Sequence, residues 1–205
     1  MPRRAQAAVA VTRSAAIDAA VRDASVTGLD GLTIGRLAAE LELSKSGLFG
    51  LFGSKLDLQL ATLQAGIDLF IREVWTPVAD LPAGRPRLAA LCERWIDFHE
   101  HDALPGGCFM TMATVEWDSR PGAVHDAVAD AMRRWLSLLA DDVRVAIDNG
   151  ELRPAVDASD VAFQLNAIAG AASCAYQLTR NTRALLRARR CMQALLVEPQ
   201  STGGS

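Results

Sequence analysis

The sequence predicts an all-α fold of about nine helices, and three observations support this prediction. Apolar residues recur at helical spacing along most of the 205 residues. No run of alternating β-branched residues indicates a sheet. Segments rich in glycine and proline, such as "TGLDGL" and "TPVADLPAGRP", separate one periodic stretch from the next. Half of the residues are apolar, which is enough for a substantial buried core.

The first four helices are predicted from apolar spacing and capping residues. Apolar positions 17, 20, 21 and 24 predict a helix over 12–25, after which "TGLDGL" forms a turn. Thr33 can cap a short helix that ends near position 40, and Ser44 can cap a second one. Ser54, followed by Asp57, resembles a capping box. It begins a long amphipathic helix that continues to position 74.

The remaining helices are predicted between the later breaks. Their approximate ranges are 87–101, 108–117, 121–149, 157–178 and 182–197. Pro121 is expected to open the third of these helices, and Gly150 is placed to cap its end. The tail 199–205, "PQSTGGS", is expected to be disordered.

Charge is distributed unevenly along the chain, whose net charge is −3. Residues 1–55 carry seven Lys or Arg and five Asp or Glu, a net of +2, while the remainder carries fourteen against nineteen, a net of −5. The excess at the N-terminal end allows a nucleic-acid partner there. No apolar run approaches the ~20 residues that span a bilayer, and the N-terminal stretch is too weakly apolar for a secretory signal. We therefore expect a cytoplasmic protein without a membrane partner.

The segment "SKSGLFGLFGSK", residues 44–55, is too glycine-rich for a good helix interior and too apolar for a solvated loop. It contains the only two lysines of the chain, Lys45 and Lys55. Two short helices joined by a brief link form the helix-turn-helix arrangement, whose second helix enters the DNA major groove. The alternative is a glycine-rich helical hairpin in an ordinary bundle, with both lysines merely solvated.

The two faces of the second short helix favour the helix-turn-helix. Leu48 and Phe52, at i and i+4, can both face the core. Gly47 and Gly50 each cost about 1 kcal/mol of helix propensity, and close approach of the backbone to DNA is a reason to accept that cost. Lys55, in the first turn of the next helix, is placed to hold a phosphate beside free N–H groups. Small or basic residues begin the open face: Ser44, Lys45, Ser46 and Gly47.

The run "GLDGLTIGRLAAELELSKSGLFGLFGSKLDLQLATL" resembles the N-terminal DNA-binding domain of the TetR family of one-component transcriptional regulators. The resemblance covers about residues 12–63, including the approach helix and the segment that leads into the long fourth helix. It implies DNA contacts from both short helices and from the start of the next one. With the glycine of the open face, the predicted DNA-binding residues are Thr33, Ser44, Lys45, Ser46, Gly47, Phe49 and Lys55.

Three positions depart from the pattern of this family. Glu42 stands where glycine is usual in the turn, so a non-glycine residue is expected to adopt a positive φ there. Phe49 stands where Tyr is common and Leu51 where His is common, and each change removes a polar contact. We expect the fold to survive these changes and the affinity for DNA to be lower.

The C-terminal two-thirds resembles the regulatory domain of the same family, and "PGGCFM" resembles the start of the sixth helix in one of its branches. Small-molecule pockets in helical bundles are apolar with a few polar anchors. Three of the four tryptophans lie between positions 70 and 117, which favours an aromatic pocket for an apolar effector. The alternative is that these side chains form plain core. The predicted effector contacts are Phe70, Trp95, Phe98, His99, Cys108, Phe109, Met112 and Trp135.

Histidines and cysteines raise the question of metal or redox chemistry. His99 and His101, considered with His125 and Glu116, cannot easily share an ion, because rings two residues apart on a helix point about 200° apart. The four cysteines are widely spaced, without a C-x-x-C pair. We therefore expect no metal and no cofactor. Cys108, at a predicted helix N-terminus, is either a redox sensor or a buried cap or pocket wall.

The last two helices are expected to form a homodimer. Residues 161–178 are crowded with small side chains that let helices approach closely. Two such helices from each of two subunits would make a four-helix bundle with twofold symmetry, as the family resemblance implies. The alternative is that both helices pack only within their own chain. The expected interface comprises Ala167, Gly170, Ala171, Cys174, Leu185, Ala188, Met192 and Leu195.

Two function hypotheses follow from these features. The first is a ligand-responsive transcriptional regulator, a repressor that leaves a near-palindromic operator when a small, largely apolar effector binds. In this case residues 1–53 form the DNA-binding domain and residues 54–198 the regulatory, ligand-binding and dimerisation domain. The second is an all-α enzyme or small-molecule carrier that does not bind DNA. Against catalysis, the sequence has no Glu-x-x-His pair, no Ser or Cys with a local base, and no phosphate loop.

Overall fold

The computed structural model describes residues 2–155 and 157–197, and the predicted disordered tail, 199–205, lies outside the described residues. Within the described ranges the chain forms nine α-helices and no strand, so the prediction of an all-α fold is confirmed. The helices are α1 (Pro2–Thr27), α2 (Ile34–Glu40), α3 (Lys45–Phe52), α4 (Lys55–Phe70), α5 (Arg85–Glu100), α6 (Phe109–Trp117), α7 (Ala123–Asp148), α8 (Ala158–Thr179) and α9 (Arg183–Leu195). No helix of the described chain is long and apolar enough to cross a bilayer.

The chain divides into two compact units. The first unit runs to Leu69 and also includes Leu104–Ala129, so it contains α1–α3, most of α4, α6 and the start of α7. The second unit comprises Phe70–Ala103 and the chain from Asp130 onward, which includes α5, the rest of α7, α8 and α9. The functional division at residues 53 and 54 stays a prediction.

The core of the first unit combines a small-residue face of α1 with leucines of the next helices. Alanine side chains on one face of α1 let neighbouring helices approach closely. The buried alanines are Ala16, Ala19, Ala20 and Ala24. Each of the next three helices adds a fully buried leucine to this cluster: Leu37, Leu48 and Leu58. Packing of their buried faces against this core therefore fixes the positions of α2 and α3.

Three helix boundaries differ from the sequence prediction. Helix α1 begins at Pro2 rather than near position 12, because no glycine or proline interrupts residues 3–27. The α-helical part of α4 ends at Phe70, and a π-helical turn, Ile71–Trp75, follows it directly. The Thr76 N–H closes this turn by donating to the Ile71 carbonyl five residues earlier. Helix α7 begins at Ala123 rather than at Pro121, because Gly122 has a φ of +139°, outside the helical region.

Ion pairs connect the helices of the second unit. Arg189 of α9 reaches three carboxylates of α5, with Asp97 Oδ1 at 2.6 Å from its Nη2. Arg87 of α5 donates to both carboxylate oxygens of the buried Asp142 of α7, at 2.5 and 2.8 Å. The hydrogen bond to this carboxylate raises the pKa of Arg87 further above its usual range. These contacts hold α7 and α9 against α5.

Candidate functional site

Thr33 and Ser44 begin the two helices of the predicted helix-turn-helix. The Thr33 hydroxyl accepts the backbone N–H of Arg36 at 3.2 Å, and Ser44 Oγ accepts that of Gly47 at 3.0 Å. Each bond satisfies a donor that a helix N-terminus otherwise leaves unpaired. Glu42, in the link, has a φ of +55°, so the predicted positive φ at this non-glycine position is confirmed.

Helix α3 presents one buried and one open face, as the sequence predicts. Leu48 and Phe52 are buried against the core of the first unit. A Cβ placed on Gly50 would meet no atom of the described chain within 4 Å. Packing within the chain therefore does not require glycine at this position. The residues that α3 and its N-cap leave exposed are Ser44, Lys45, Ser46, Gly47, Phe49 and Gly50.

Lys45 extends from α3 across a glycine of α2. A Cβ placed on Gly35 would lie 3.4 Å from Cε and 3.7 Å from Nζ of Lys45. Gly35 thus leaves room for the lysine side chain along α2, while the ammonium group stays at the exposed surface. This arrangement places a cation beside the N-terminus of the exposed helix.

Lys55, predicted to bind a DNA phosphate, contacts Asp30 of its own chain. Its Nζ donates to the Asp30 carbonyl at 2.7 Å and to Oδ1 at 3.1 Å. The second carboxylate oxygen accepts from Arg120 Nη1 at 3.1 Å. The hydrogen bond and charge of Lys55, followed by those of Arg120, lower the pKa of Asp30, so this carboxylate is ionised at neutral pH. A phosphate at Lys55 would have to compete with this carboxylate, and the role of Lys55 stays a prediction.

Ser54 and Asp57 form the predicted capping pair at the start of α4. Ser54 Oγ accepts the Asp57 backbone N–H at 3.0 Å. The same hydroxyl donates to Asp57 Oδ2 at 2.6 Å. The carboxylate therefore binds the hydroxyl, whereas in a capping box it binds the backbone N–H of the cap residue.

Glu116 of α6 holds the turn between α1 and α2, a contact that sequence reasoning missed. Its carboxylate accepts the backbone N–H groups of Leu29 at 2.7 Å and of Asp30 at 2.8 Å. Gly28 has a φ of +76°, and a Cβ there would lie 2.5 Å from the carboxylate. Glycine is thus required for this approach. Because 86 residues separate Asp30 from Glu116, no local pattern links them.

Five of the eight predicted effector contacts lie in the second unit and pack ring to ring. The Phe70 centroid lies 5.6 Å from that of Trp95, 5.7 Å from Phe98 and 5.0 Å from Trp135. Trp95 and Trp135 are 5.0 Å apart, and His99 is 5.8 Å from Phe98. The first four pairs meet at 73–87°, which is the favourable edge-to-face geometry. We call these five residues the ring cluster.

The ring cluster contains polar atoms without a hydrogen-bond partner. Within the described chain, Trp95 Nε1, Trp135 Nε1 and both ring nitrogens of His99 are buried and unpaired. His99 is 3% exposed and Trp95 4%. Burial lowers the pKa of His99 to about 4, so its ring is neutral at pH 7. Such atoms are nearly always paired in native proteins. Arg94 Nε and Trp117 Nε1 are also buried without a partner in the described chain, but four of the six such atoms lie in this cluster.

The other three predicted effector contacts lie in the first unit. Cys108 is the buried N-cap of α6, and Met112 is partly exposed on that helix. Phe109 is buried against Gly66 of α4, where its ring occupies the space that a Cβ would need. Phe109 thus belongs to the core of the first unit. Whether any of the three contacts an effector stays a prediction.

The histidines considered as metal ligands lie in different surroundings. His99 is buried, whereas His101 is exposed with Nδ1 2.8 Å from the Asp97 carbonyl oxygen. His125 lies in the first unit, and its Nδ1 is 2.9 Å from Asp126 Oδ1. Among the residues that the structure describes, no three His, Cys, Asp or Glu side chains are grouped closely enough to hold a metal ion.

Helix α8 presents an apolar stripe at the surface of the chain. Phe163 and Leu178 are 65% and 86% exposed, and smaller residues lie between them at helical spacing. This surface includes all four α8 residues that the sequence predicts for a dimer. We call it the α8 stripe, and its members are Phe163, Ala167, Gly170, Ala171, Cys174 and Leu178.

The predicted contribution of α9 to a dimer needs correction. Leu185, Ala188 and Met192 are 1%, 4% and 0% exposed, because α9 packs on α5 and α8 of its own chain. Side chains that are already buried in the chain cannot form a seam with a partner, and Leu195 is half-buried. The apolar face of α9 thus packs within the chain, as the alternative expected of both last helices, whereas α8 keeps an exposed stripe.

Comparison with known proteins gives a family match in the C-terminal part of the chain. Residues 84–192, more than half of the chain, match the family model described as the C-terminal domain of tetracyclin repressor-like proteins. Among curated proteins, sequence comparison gives no match. The match is independent of the helix-turn-helix pattern, which lies N-terminal to it.

Solved structures share the fold over nearly the whole chain. A TetR transcriptional regulator from Chloroflexus aurantiacus has a TM-score of 0.84 and 22% identity, covering 91% of this chain and 94% of that one. A TetR family regulator from Cytophaga hutchinsonii has a TM-score of 0.80 and 21% identity, covering 93% and 96%. AibR, solved with isovaleryl coenzyme A and operator DNA, has a TM-score of 0.73 and 20% identity, covering 91% and 98%. By its family match, its fold and its helix-turn-helix, the chain belongs to the TetR family of transcriptional regulators.

Proposed function

We propose that the chain is a ligand-responsive transcriptional repressor that binds a near-palindromic operator as a homodimer and leaves it when a small effector binds. The observation that carries this proposal is helix α3, which is capped by Ser44 and exposes Lys45, Ser46 and Gly47. Small and basic residues at the start of an exposed second helix suit entry into a major groove. We expect such a protein to act in the cytoplasm, where operator DNA is found.

The related structures support both DNA and effector as partners. AibR was solved with operator DNA and with isovaleryl coenzyme A. Regulators of this family are in general DNA-binding proteins rather than enzymes. We therefore favour a regulator over an all-α enzyme or carrier. The effector of this chain need not resemble that of AibR, since the two share 20% identity.

A second copy of the chain would give the DNA interface its twofold symmetry. The α8 stripe supplies an apolar surface with small residues at its centre, which suits close packing against its own symmetry mate. Two reading helices related in this way would enter successive major grooves one helical turn apart, about 34–36 Å. This geometry is the reason to expect a near-palindromic operator.

The ring cluster is the part of the second unit that best suits an effector. Its rings offer an apolar wall, and its unpaired polar atoms offer partners for a ligand. An effector that binds better to a conformation with a different spacing of the two heads would shift the population away from the operator-bound form. Binding and release would then be one coupled equilibrium.

The proposal is tested by gel retardation of duplex DNA from the region upstream of the chain's own gene. Lys45→Ala should cost about 1–3 kcal/mol of binding free energy if Lys45 reads a base, and less if it contacts only phosphate. Arg133→Ala is the matched control, because it removes one exposed positive charge from α7. A folded chain that retards no DNA while it retains a small molecule would contradict the proposal and favour a carrier or an enzyme.

A further inference from the structure

His99 is the member of the ring cluster whose lack of partners is hardest to explain as packing. A buried indole N–H can point at the face of a neighbouring ring and gain a weak hydrogen bond. Trp95 and Trp135 both have perpendicular ring neighbours with centroids 5.0 Å away, so their N–H groups can form such a weak hydrogen bond. A neutral imidazole also carries a nitrogen lone pair, and the negative face of an aromatic ring cannot satisfy it. His99 therefore needs a polar partner that the described chain does not supply.

Two charged residues of α5 lie next to the cluster in the sequence. Arg94 donates through Nη2 to the Glu73 carbonyl at 2.8 Å, and its Nε is buried without a partner in the described chain. Asp97 accepts from Arg189 at 2.6 Å. A carboxylate beside His99 would meet a neutral ring and aromatic walls, where burying a charge is costly, and it has no proton to donate to the lone-pair nitrogen of His99. The surroundings favour an uncharged polar group.

A hydroxyl group fits the polar atoms of this cluster. It donates one hydrogen bond and accepts two. Trp95 and His99 are four residues apart on α5 and so lie on the same face one turn apart. One hydroxyl could donate to the lone-pair nitrogen of His99 and accept the Trp95 N–H. A carbonyl could accept from either ring but could not donate to His99.

We infer that the ring cluster binds an uncharged effector of the phenol or cyclic-alcohol class, with a ring-sized apolar body and a hydroxyl group that pairs with His99. This inference rests on the proposed function, which assigns effector binding to the second unit. The aromatic walls recognise the body, and the hydroxyl gives the His99 ring the partner that the chain does not provide. His99 is then the residue that distinguishes an alcohol from a hydrocarbon of the same shape.

Three small probes test this inference by calorimetric titration of the full chain. The probes are 4-methylphenol, 1,4-dimethylbenzene, in which a methyl group replaces the hydroxyl, and the anion 4-methylbenzoate. We expect 4-methylphenol to bind one site per chain at least about tenfold more tightly than 1,4-dimethylbenzene, because sites built for a hydroxyl reject analogues that lack it. We expect no measurable binding of 4-methylbenzoate.

The variant His99→Leu tests whether His99 causes the preference for a hydroxyl group. This variant should bind 4-methylphenol and 1,4-dimethylbenzene about equally, because the polar partner is gone. His101→Leu is the matched control on the same helix, and it should keep the preference because His101 is exposed. Trp95→Phe keeps an aromatic ring but removes the N–H. It should weaken the binding of 4-methylphenol without weakening the binding of 1,4-dimethylbenzene.

Thermal melting without any probe checks the premise. Because His99→Leu removes buried polar atoms that have no partner, its melting temperature should equal or exceed that of the wild type at pH 7. A clear decrease would mean that His99 is satisfied within the folded chain and would overturn the inference. Equal binding of 4-methylphenol and 1,4-dimethylbenzene to the wild type, tight binding of 4-methylbenzoate, or binding of no probe would also overturn it.

DNA retardation on the same preparation separates this inference from the proposed function. A chain that retards its upstream DNA but shows no preference for the hydroxyl contradicts the inference and leaves the regulator intact. A folded chain that prefers 4-methylphenol through His99 but retards no DNA supports the ligand site and contradicts the regulator.

Discussion

At the scale of single residues, Asp30 stands where a DNA phosphate is expected. Its carboxylate binds Lys55 and Arg120 at 3.1 Å each, and its carbonyl also accepts from Lys55. All three side chains are about half exposed, and exposed ion pairs contribute little to folding stability. The pairing therefore matters chiefly for the approach of a polyanion, because the carboxylate both occupies Lys55 and repels phosphate.

Lys55→Ala should weaken binding to all DNA sequences alike. If Lys55 contacts the backbone, its loss should flatten the plot of log affinity against log salt by roughly one unit. Binding titrations at several salt concentrations measure this slope. An unchanged slope would mean that Lys55 stays paired with Asp30 when DNA is bound and does not contact the DNA backbone.

Asp30→Asn should strengthen DNA binding. It removes a negative charge beside the expected phosphate and breaks the ion pair of Lys55, although the hydrogen bond of Lys55 to the backbone carbonyl remains, so affinity should rise several-fold at low salt. Asp130→Asn is the matched control, because Asp130 of α7 also pairs with two arginines, Arg133 and Arg134. If both substitutions raise the DNA affinity equally, Asp30 acts only through the net charge of the chain.

His99 should make folding stability depend on pH. Burial lowers its pKa from 6.5 to about 4, so between these values the unfolded chain binds a proton that the folded chain does not. Stability that is complete above pH 6.5 is lost as the pH falls toward 4, by about 2 kcal/mol at pH 5. Urea denaturation of the wild type and of His99→Leu at pH 7 and pH 5 measures this difference. A pH dependence that the substitution leaves unchanged would contradict the assignment to His99.

At the scale of elements, Gly50 of α3 allows the effects of a glycine on folding and on DNA binding to be tested separately. Gly50→Ala should raise the free energy of unfolding by up to about 1 kcal/mol, because alanine favours the helix and its Cβ meets no atom of the described chain. DNA binding should nevertheless weaken if the backbone approaches DNA closely there. Denaturation and operator titration of one preparation test both effects. Unchanged DNA affinity would mean that Gly50 faces solvent in the complex.

Gly66 of α4 provides the opposite case. The ring of Phe109 already occupies the position of a Cβ there, so Gly66→Ala should destabilise the first unit. Overpacked cores typically lose about 1–3 kcal/mol, which denaturation would detect. A variant as stable as the wild type would show that Phe109 is mobile in its site.

Sequence predicted the elements of the DNA-binding part where their signals are local. Caps at Thr33, Ser44 and Ser54 depend on a hydroxyl and an N–H three residues later, so spacing alone reveals them. The contact of Glu116 with the α1–α2 turn joins positions 86 residues apart, and the glycines of "TGLDGL" indicated the turn but not the carboxylate that holds it. The presence of a helix and its cap are thus more predictable than the distant contacts that hold it in place.

Helix α9 shows why a pattern can identify a stripe but not its partner. Its apolar residues recur at helical spacing, as expected for any helix with one buried face. Packing on α5 and α8 buries them within the chain, and the triad of carboxylates around Arg189 holds α9 in that orientation. Periodicity cannot distinguish a partner in the same chain from one in a second copy.

At the scale of the whole molecule, the α8 stripe is the surface on which we expect a second copy of the chain to pack. Leu178 and Phe163 would each remain largely exposed in a single chain, and large apolar patches on soluble proteins mark interaction sites. The small residues between them allow two copies of α8 to approach closely. A dimer built on α8, with α9 packed behind it, satisfies both requirements.

Ala171→Arg should dissociate this dimer without unfolding the chain. Ala171 is exposed in the single chain, so the arginine costs little there, whereas in the seam it would bury an unpaired charge at a cost of several kcal/mol. Light scattering after size exclusion should give the mass of one chain, and melting should stay close to that of the wild type. Ser137→Arg, at an exposed position of α7, is the control and should remain dimeric. By contrast, Leu185→Asp buries a charge inside the chain and should unfold it rather than yield a folded monomer. A dimeric Ala171→Arg would move the interface away from α8, and the two reading helices would then need another source of twofold symmetry.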